Sequence, residues 1–170
     1  MKIVLMGYMG SGKSKVGAML AQKLKLPHID LDHEIEKESG YSITETILNK
    51  GELYFRQLER QVLEESLHQP EFVMSTGGGT PCYFDSIDLM NKNGVTVYLQ
   101  LGVNDLLERL ENDKSQRPLL AHLTGDALKE FIAKHLFERR LYYEKAIFTI
   151  NASNKSAEQI SHEIEKLFND

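Results

Sequence analysis

"GYMGSGKS", Gly7 to Ser14, is the stretch on which the fold turns. It fits the pattern G-x-x-x-x-G-K-[ST], it follows the apolar β-type run "KIVLM" (2 to 6), and it opens the amphipathic stretch "KVGAMLAQKLKL". Between a strand and a helix this pattern is a phosphate-binding loop. The glycines let consecutive backbone N–H groups, those of Gly10, Ser11 and Gly12, turn inward on the phosphates at a helix N-terminus. Lys13 is placed to reach the β/γ oxygens of ATP, and the Ser14 hydroxyl to ligate Mg²⁺. Lys15, next in line, is a minor candidate for a phosphate contact.

Outward from this loop, further β-type runs alternate with helical stretches: "HIDL" (28 to 31), "FVMST" (72 to 76), "VTVYLQL" (95 to 101) and "AIFTI" (146 to 150). Alternation of this kind implies right-handed crossovers and a five-stranded parallel sheet covered on both faces, a three-layer α/β/α fold. Ser42 and Ser156 each precede a Glu or Gln by three residues and predict capping boxes. Gly40, Gly51 and Gly94 are expected at helix ends. With no repeat and no Pro/Gly/Ser-rich linker, residues 1–170 are expected to form one domain. The polar stretch Glu111 to Asp126, broken by Pro118, is long for a simple connection and reads as a lid, about 111–125.

Composition narrows the function. Lys and Arg number 20 against 25 Asp and Glu, a formal charge of −5, so no general attraction to nucleic acid is expected. The single cysteine, Cys82, excludes an internal disulfide framework, and no apolar run approaches a membrane span. The expectation is a reduced, soluble, cytoplasmic protein that holds anions by local charge.

Three features carry chemistry beyond the loop. In "HIDLDHE", alternation along an extended segment would turn Asp30 and Asp32 to the same side at the end of the second strand. Two carboxylates aimed at one place need a cation or a proton, which a Mg²⁺-dependent phosphoryl-transfer site provides. The plainer alternative is a solvated turn with Asp32 as a helix N-cap. His28 and His33 flank the pair, but without a third ligand at a recognised spacing they read as structural. In "STGGGTP" (75 to 81) three consecutive glycines end a strand where something must approach the backbone closely. Arg56 and Arg139 each have Glu at helical spacing, Glu52 or Glu59 for the first and Glu138 or Glu144 nearby for the second, and ordinary helix-surface ion pairs would account for both.

Taken in order, "GYMGSGKS", "DLD", "FRQLE" (55 to 59), "STGGG", "RPLL" (117 to 120) and "ERRLYYEKA" (138 to 146) resemble the shikimate kinases across nearly the whole chain. The resemblance implies a P-loop kinase with a helical substrate-binding segment at about 32–60, transferring the γ-phosphoryl group of ATP to the 3-hydroxyl of shikimate. It implies that Arg56 and Arg139 bind the shikimate carboxylate and that Asp32 orients the acceptor hydroxyl. Asp30, with Ser14 and Ser75, would belong to the Mg²⁺ shell. Gly78 would contact shikimate through its backbone, with Gly77 and Gly79 leaving room. Arg117 would be the lid arginine that closes on the nucleotide, and Arg109 and Lys155 would lie on the adenine side. A monomer is implied as well. Two positions depart from the family pattern: Lys15 stands where Thr is usual, and Leu141 replaces a proline. A related P-loop kinase for gluconate or a nucleoside monophosphate, or a non-catalytic nucleotide sensor, remains an alternative at this point. The latter gives no reason for Asp32, Arg56 and Arg139 to coexist.

Overall fold

The structure, a computed structural model, describes residues 1–113, 120 and 122–168. Five parallel strands, β1 (Lys2–Met6), β2 (His28–Asp30), β3 (Phe72–Ser75), β4 (Val95–Gln100) and β5 (Phe148–Asn151), lie in the order β2-β3-β1-β4-β5. Helices cover both faces: α1 (Lys13–Leu24), α2 (Leu31–Ser39), α3 (Ile43–Lys50), α4 (Glu52–Leu67), α5 (Ser86–Asn93), α6 (Val103–Asn112), α7 (Gly125–Tyr143) and α8 (Ala157–Lys166). The central strands bury both faces, as a parallel sheet between helical layers requires, so Ile3, Val4, Leu5 and Met6 are all fully buried in succession.

The chain leaves β1 towards β2 and β3 on one side and then crosses to β4 and β5 on the other. The switch point is therefore the crevice beyond the carboxyl ends of β1 and β3, where open α/β sheets bind ligands. Register aligns what meets there: Leu5 of β1 is opposite Ser75 of β3, which is opposite Asp30 of β2. The phosphate loop, the glycine run and the two acids consequently leave the sheet at one level.

Local signals hold at the expected places. Ser42 and Ser156 both form reciprocal capping boxes, with Glu45 and Gln159. Gly40, Gly51 and Gly94 each end a helix. Two expectations are corrected. Asp30 and Asp32 do not share an extended segment, because β2 stops at Asp30, which caps α2 by accepting from the His33 N–H at 3.4 Å. Leu31 is fully buried and already helical, so Asp32 lies in the first turn of α2 and meets Asp30 across a strand–helix corner. The segment taken for a lid is also narrower, since Glu111 and Asn112 complete α6 and Gly125 opens α7. Its two ends are held together by the Gly125 N–H, which donates to the Glu111 carboxylate at 3.3 Å.

Candidate active site

The phosphate loop is built by backbone conformations that only glycine adopts freely. Gly10 (φ 82°) and Gly12 (φ 90°) are left-handed, and this turns the loop back on itself before α1 begins. Inside the loop, the buried Lys13 ammonium donates to the carbonyls of Gly7 (2.9 Å) and Tyr8 (3.0 Å) and lies 3.4 Å from the Ser11 hydroxyl. A cation held on loop carbonyls is poised to exchange them for phosphate oxygens. Beside it, the Ser14 hydroxyl donates to Asp30 at 2.8 Å.

A cavity of about 310 Å³ opens here, between the phosphate loop (Gly10, Gly12, Lys13, Ser14, Lys15) on one side and Asp32, Thr76, Gly77 and Gly78 on the other. Asp32 faces solvent at its mouth but is ringed by protein. Desolvation first, then the neighbouring carboxylates of Asp30 and Glu59, push its pKa up to about 6 against the opposing pull of Lys13. A carboxylate tuned in this way can accept a hydroxyl proton near neutral pH.

The glycine run explains itself through its neighbours. A Cβ at Gly77 would lie 2.9 Å from Asp32 Oδ1, one at Gly78 would lie 3.2 Å from Arg139 Nη1, and one at Gly79 would lie 2.7 Å from both terminal nitrogens of Arg56. The room left by Gly77 and Gly79 is thus occupied by the side chains of Asp32 and Arg56, a sharper role than the open approach expected of them. Three consecutive missing side chains let one acid and two guanidinium groups converge on one strip of backbone.

Arg56 does make the helical-spacing pairs that its sequence allows, with Glu59 at 2.9 Å and Glu52 at 3.7 Å. It is not a surface pair, however: the Arg56 and Glu59 side chains are 12% and 3% exposed, and Glu59 also accepts from Thr80 Oγ1 at 2.7 Å. The guanidinium stacks over the Tyr83 ring at 4.0 Å, and its buried Nε–H has no hydrogen-bond partner. The nearest anion to that Nε is the Glu52 carboxylate at 3.7 Å, an ion pair without a hydrogen bond. Among the described residues no carboxylate pairs with Arg139, and Glu144 is taken by Arg140. The Arg139 guanidinium lies 5.9 Å from the centre of the Tyr8 ring.

Other candidates fall elsewhere. Ser75 is buried, and its hydroxyl donates to the Lys13 carbonyl at 2.9 Å. Its one proton is therefore committed, so His28 Nε2–H must be the donor in the 3.0 Å bond between them, and burial lowers the His28 pKa. This ties β3 to the start of α1. Arg109 donates to the Gly10 carbonyl at 3.3 Å and, with Lys155, lines a separate cavity of about 280 Å³ on the outer side of the phosphate loop. Lys155 also pairs with Glu163 at 2.9 Å. Arg117 lies outside the described residues.

Sequence reasoning missed Tyr8, Thr80, Tyr83, His135 and Tyr143. Tyr8 O–H pairs with His135 Nδ1 at 3.0 Å, and Tyr143 O–H donates to the Gly78 carbonyl at 2.6 Å. For α7, the four-residue spacing of His135, Arg139 and Tyr143 was the available signal, since it puts all three on one helical face.

A family model described as shikimate kinase matches residues 9–168. The chain belongs to the shikimate kinase family. A shikimate kinase of Flavobacterium psychrophilum is 42% identical over 168 residues, covering 98% of each chain, and one from a Sulfurihydrogenibium species is 43% identical over 162 residues, covering 95% of this chain and 94% of that one. Among solved structures, the shikimate kinase of Bacteroides thetaiotaomicron superposes with a TM-score of 0.93 at 37% identity, over 99% of this chain and 98% of its own. That of Acinetobacter baumannii, solved in complex with shikimate, superposes with a TM-score of 0.89 at 33% identity, over 99% of this chain and 92% of its own. Shikimate kinases are ATP-dependent small-molecule kinases of the P-loop fold, which agrees with the sheet order and the loop described above. Among the described residues, no helix is long and apolar enough to cross a membrane.

Proposed function

We propose that this shikimate kinase family member transfers the γ-phosphoryl group of ATP to the 3-hydroxyl of shikimate, giving ADP and shikimate 3-phosphate for chorismate and aromatic amino acid synthesis. The observation that carries the reading is the convergence of Asp32, Arg139 and Arg56 over Gly77, Gly78 and Gly79. Shikimate has one carboxylate and three hydroxyls, and this strip offers two cationic forks for the former and a high-pKa acid for the latter.

In this reading the Arg56 and Arg139 guanidiniums hold the carboxylate through their terminal nitrogens. Asp32 then orients the 3-hydroxyl and accepts its proton as the O–P bond forms. The transition state of phosphoryl transfer is loose, so orientation outweighs early deprotonation. Lys13 moves from the loop carbonyls to the β/γ oxygens, and the loop N–H groups hold the phosphates. Arg117 is assigned to the γ-phosphoryl group, and Arg109 and Lys155 to the adenine side.

The 2.8 Å Ser14–Asp30 pair beside Asp32 suits Mg²⁺, which takes few protein oxygens and keeps its remaining positions for phosphate and water. When bound, Mg²⁺ would neutralise charge developing on the phosphates, with Ser14 as ligand and Asp30 holding its water. The same reading assigns residues 32–60 to acceptor binding, the segment between α6 and α7 to the lid, and the working state to a single cytoplasmic chain of one domain.

Measurement of ADP release with ATP and Mg²⁺, with and without shikimate, tests the proposal. Shikimate-dependent release is expected. Turnover with gluconate or a nucleoside monophosphate but not with shikimate would overturn it.

A further inference from the structure

All three carbonyls of the glycine run are tied down. Gly77 accepts from the Thr80 N–H at 3.3 Å and Gly79 from the Cys82 N–H at 2.9 Å, bonds made locally by the short 3-10 turn Thr80–Cys82. Gly78 accepts from the phenol of Tyr143, 65 residues away, at 2.6 Å. On the donor side the pattern reverses: among the described residues, neither the Gly78 nor the Gly79 N–H has an acceptor. Gly78 lines the cavity and Gly79 is buried beside the Arg56 guanidinium, where a backbone donor without an acceptor is available to a ligand that the guanidinium holds.

The Gly78–Gly79 peptide is trans, as are all the described peptides. In a planar trans peptide the C=O and N–H leave from opposite edges, so whatever holds the Gly78 carbonyl also sets the direction of the Gly79 N–H. Tyr143 is well placed to do this. Its side chain is fully buried and stacks on Tyr98 with centroids 5.1 Å apart at 29°, so the phenol oxygen is located by the core. Burial also raises its pKa against the opposing pull of Arg139, whose guanidinium bonds the same oxygen, keeping the hydroxyl protonated as a donor. One turn earlier on the same face of α7, Arg139 reaches over Gly78.

We propose that Tyr143 is a positioning residue of the acceptor site, whose hydroxyl fixes the Gly78–Gly79 peptide so that the Gly79 N–H is presented to the acceptor beside Arg56 and Arg139. The inference rests on the reading of this strip as the shikimate pocket. Tyr143 touches no reacting atom. Its contribution is to keep a backbone donor from rotating away.

Tyr143→Phe keeps the ring and its stack on Tyr98 and removes only the hydroxyl. In steady-state ADP-release assays the shikimate KM is expected to rise about tenfold, with the ATP KM within about twofold of wild type and kcat changed less than about threefold. Tyr98→Leu disturbs the stack without removing the hydroxyl and is expected not to reproduce that split. A shikimate KM unchanged in folded Tyr143→Phe, an equal rise for both substrates, or the same split in Tyr98→Leu would overturn the proposal. If Tyr143→Phe melts below the assay temperature, Tyr143→Met fills the space with an adaptable apolar chain and carries the same expected and overturning results. A wild-type protein with no shikimate-dependent turnover would instead overturn the functional reading, so the two failures are distinct.

Discussion

A methyl group at Gly79 would lie 2.7 Å from both terminal nitrogens of Arg56, closer than any side-chain carbon tolerates. The guanidinium has little freedom to retreat, because Glu59 holds it at 2.9 Å from one side and the Tyr83 ring covers it at 4.0 Å. Gly79→Ala is therefore expected to displace Arg56 and raise the shikimate KM by roughly tenfold or more, the loss of about one charge-assisted hydrogen bond. The ATP KM should stay near wild type. Steady-state kinetics with each substrate varied in turn would check this, and a selective ATP defect would instead assign the glycines to the nucleotide.

Asp32 makes a pH prediction with a definite sign. Its pKa is raised to about 6 in the folded protein from 3.8, so between these values the folded state binds more protons than the unfolded one. The group therefore costs stability progressively as pH rises through this window, and in full above about pH 6. Asp32→Asn is expected to melt higher than wild type at pH 8, with the difference vanishing towards pH 4. The gain should be about 1 kcal/mol, because the carboxylate faces solvent and screening reduces the effect. Turnover should fall by orders of magnitude in the same variant, and wild-type kcat/KM should decline below about pH 6. Melting curves and pH–rate profiles check both halves.

Lys13 and Arg139 should fail differently. Lys13→Met removes the charge from the phosphate loop and is expected to lower kcat by about a hundredfold or more, since that charge is assigned to the transferring phosphoryl group. Arg139→Ala should chiefly raise the shikimate KM, with a smaller loss of kcat. Near-normal kinetics in both variants would remove the site assignment.

Gly17 reverses the usual helix rule. Inside a helix such as α1, replacing Gly with Ala ordinarily stabilises by about 1 kcal/mol. Here the new Cβ would lie 2.3 Å from Ser75 Oγ and 2.7 Å from His28 Nε2, breaking the bonds that tie β3 and β2 to α1. Gly17→Ala is expected to lower stability by about 1–3 kcal/mol, the range for disturbing buried hydrogen-bonded groups. Thermal melting would show a higher, unchanged or lower midpoint, and only the last agrees.

Much of this was legible in the chain because it depends on local chemistry. The phosphate loop needs glycines at left-handed positions next to a Lys and a hydroxyl, and Gly10, Gly12, Lys13 and Ser14 supply them within five residues. Capping boxes at Ser42 and Ser156 involve atoms three residues apart. Alternating strands and helices leave few topologies once crossovers are right-handed, so the parallel sheet followed from order alone.

Contacts between distant segments were a different matter. Arg56 has the same Glu neighbours whether it lies on a surface or in a pocket, and only packing against Tyr83 and Gly79 takes it off the surface. Ser75 reads as a Mg²⁺-shell hydroxyl in the sequence, and only the fold points its O–H at the Lys13 carbonyl, 62 residues away. Asp32 acquires its high pKa from desolvation by the protein around it, from Asp30 and from Glu59 on another helix, and Tyr143 finds Gly78 across 65 residues. Periodicity and propensity act over a turn or two of chain, whereas desolvation, steric exclusion and long-range hydrogen bonds exist only once the sheet has brought its carboxyl ends to one level.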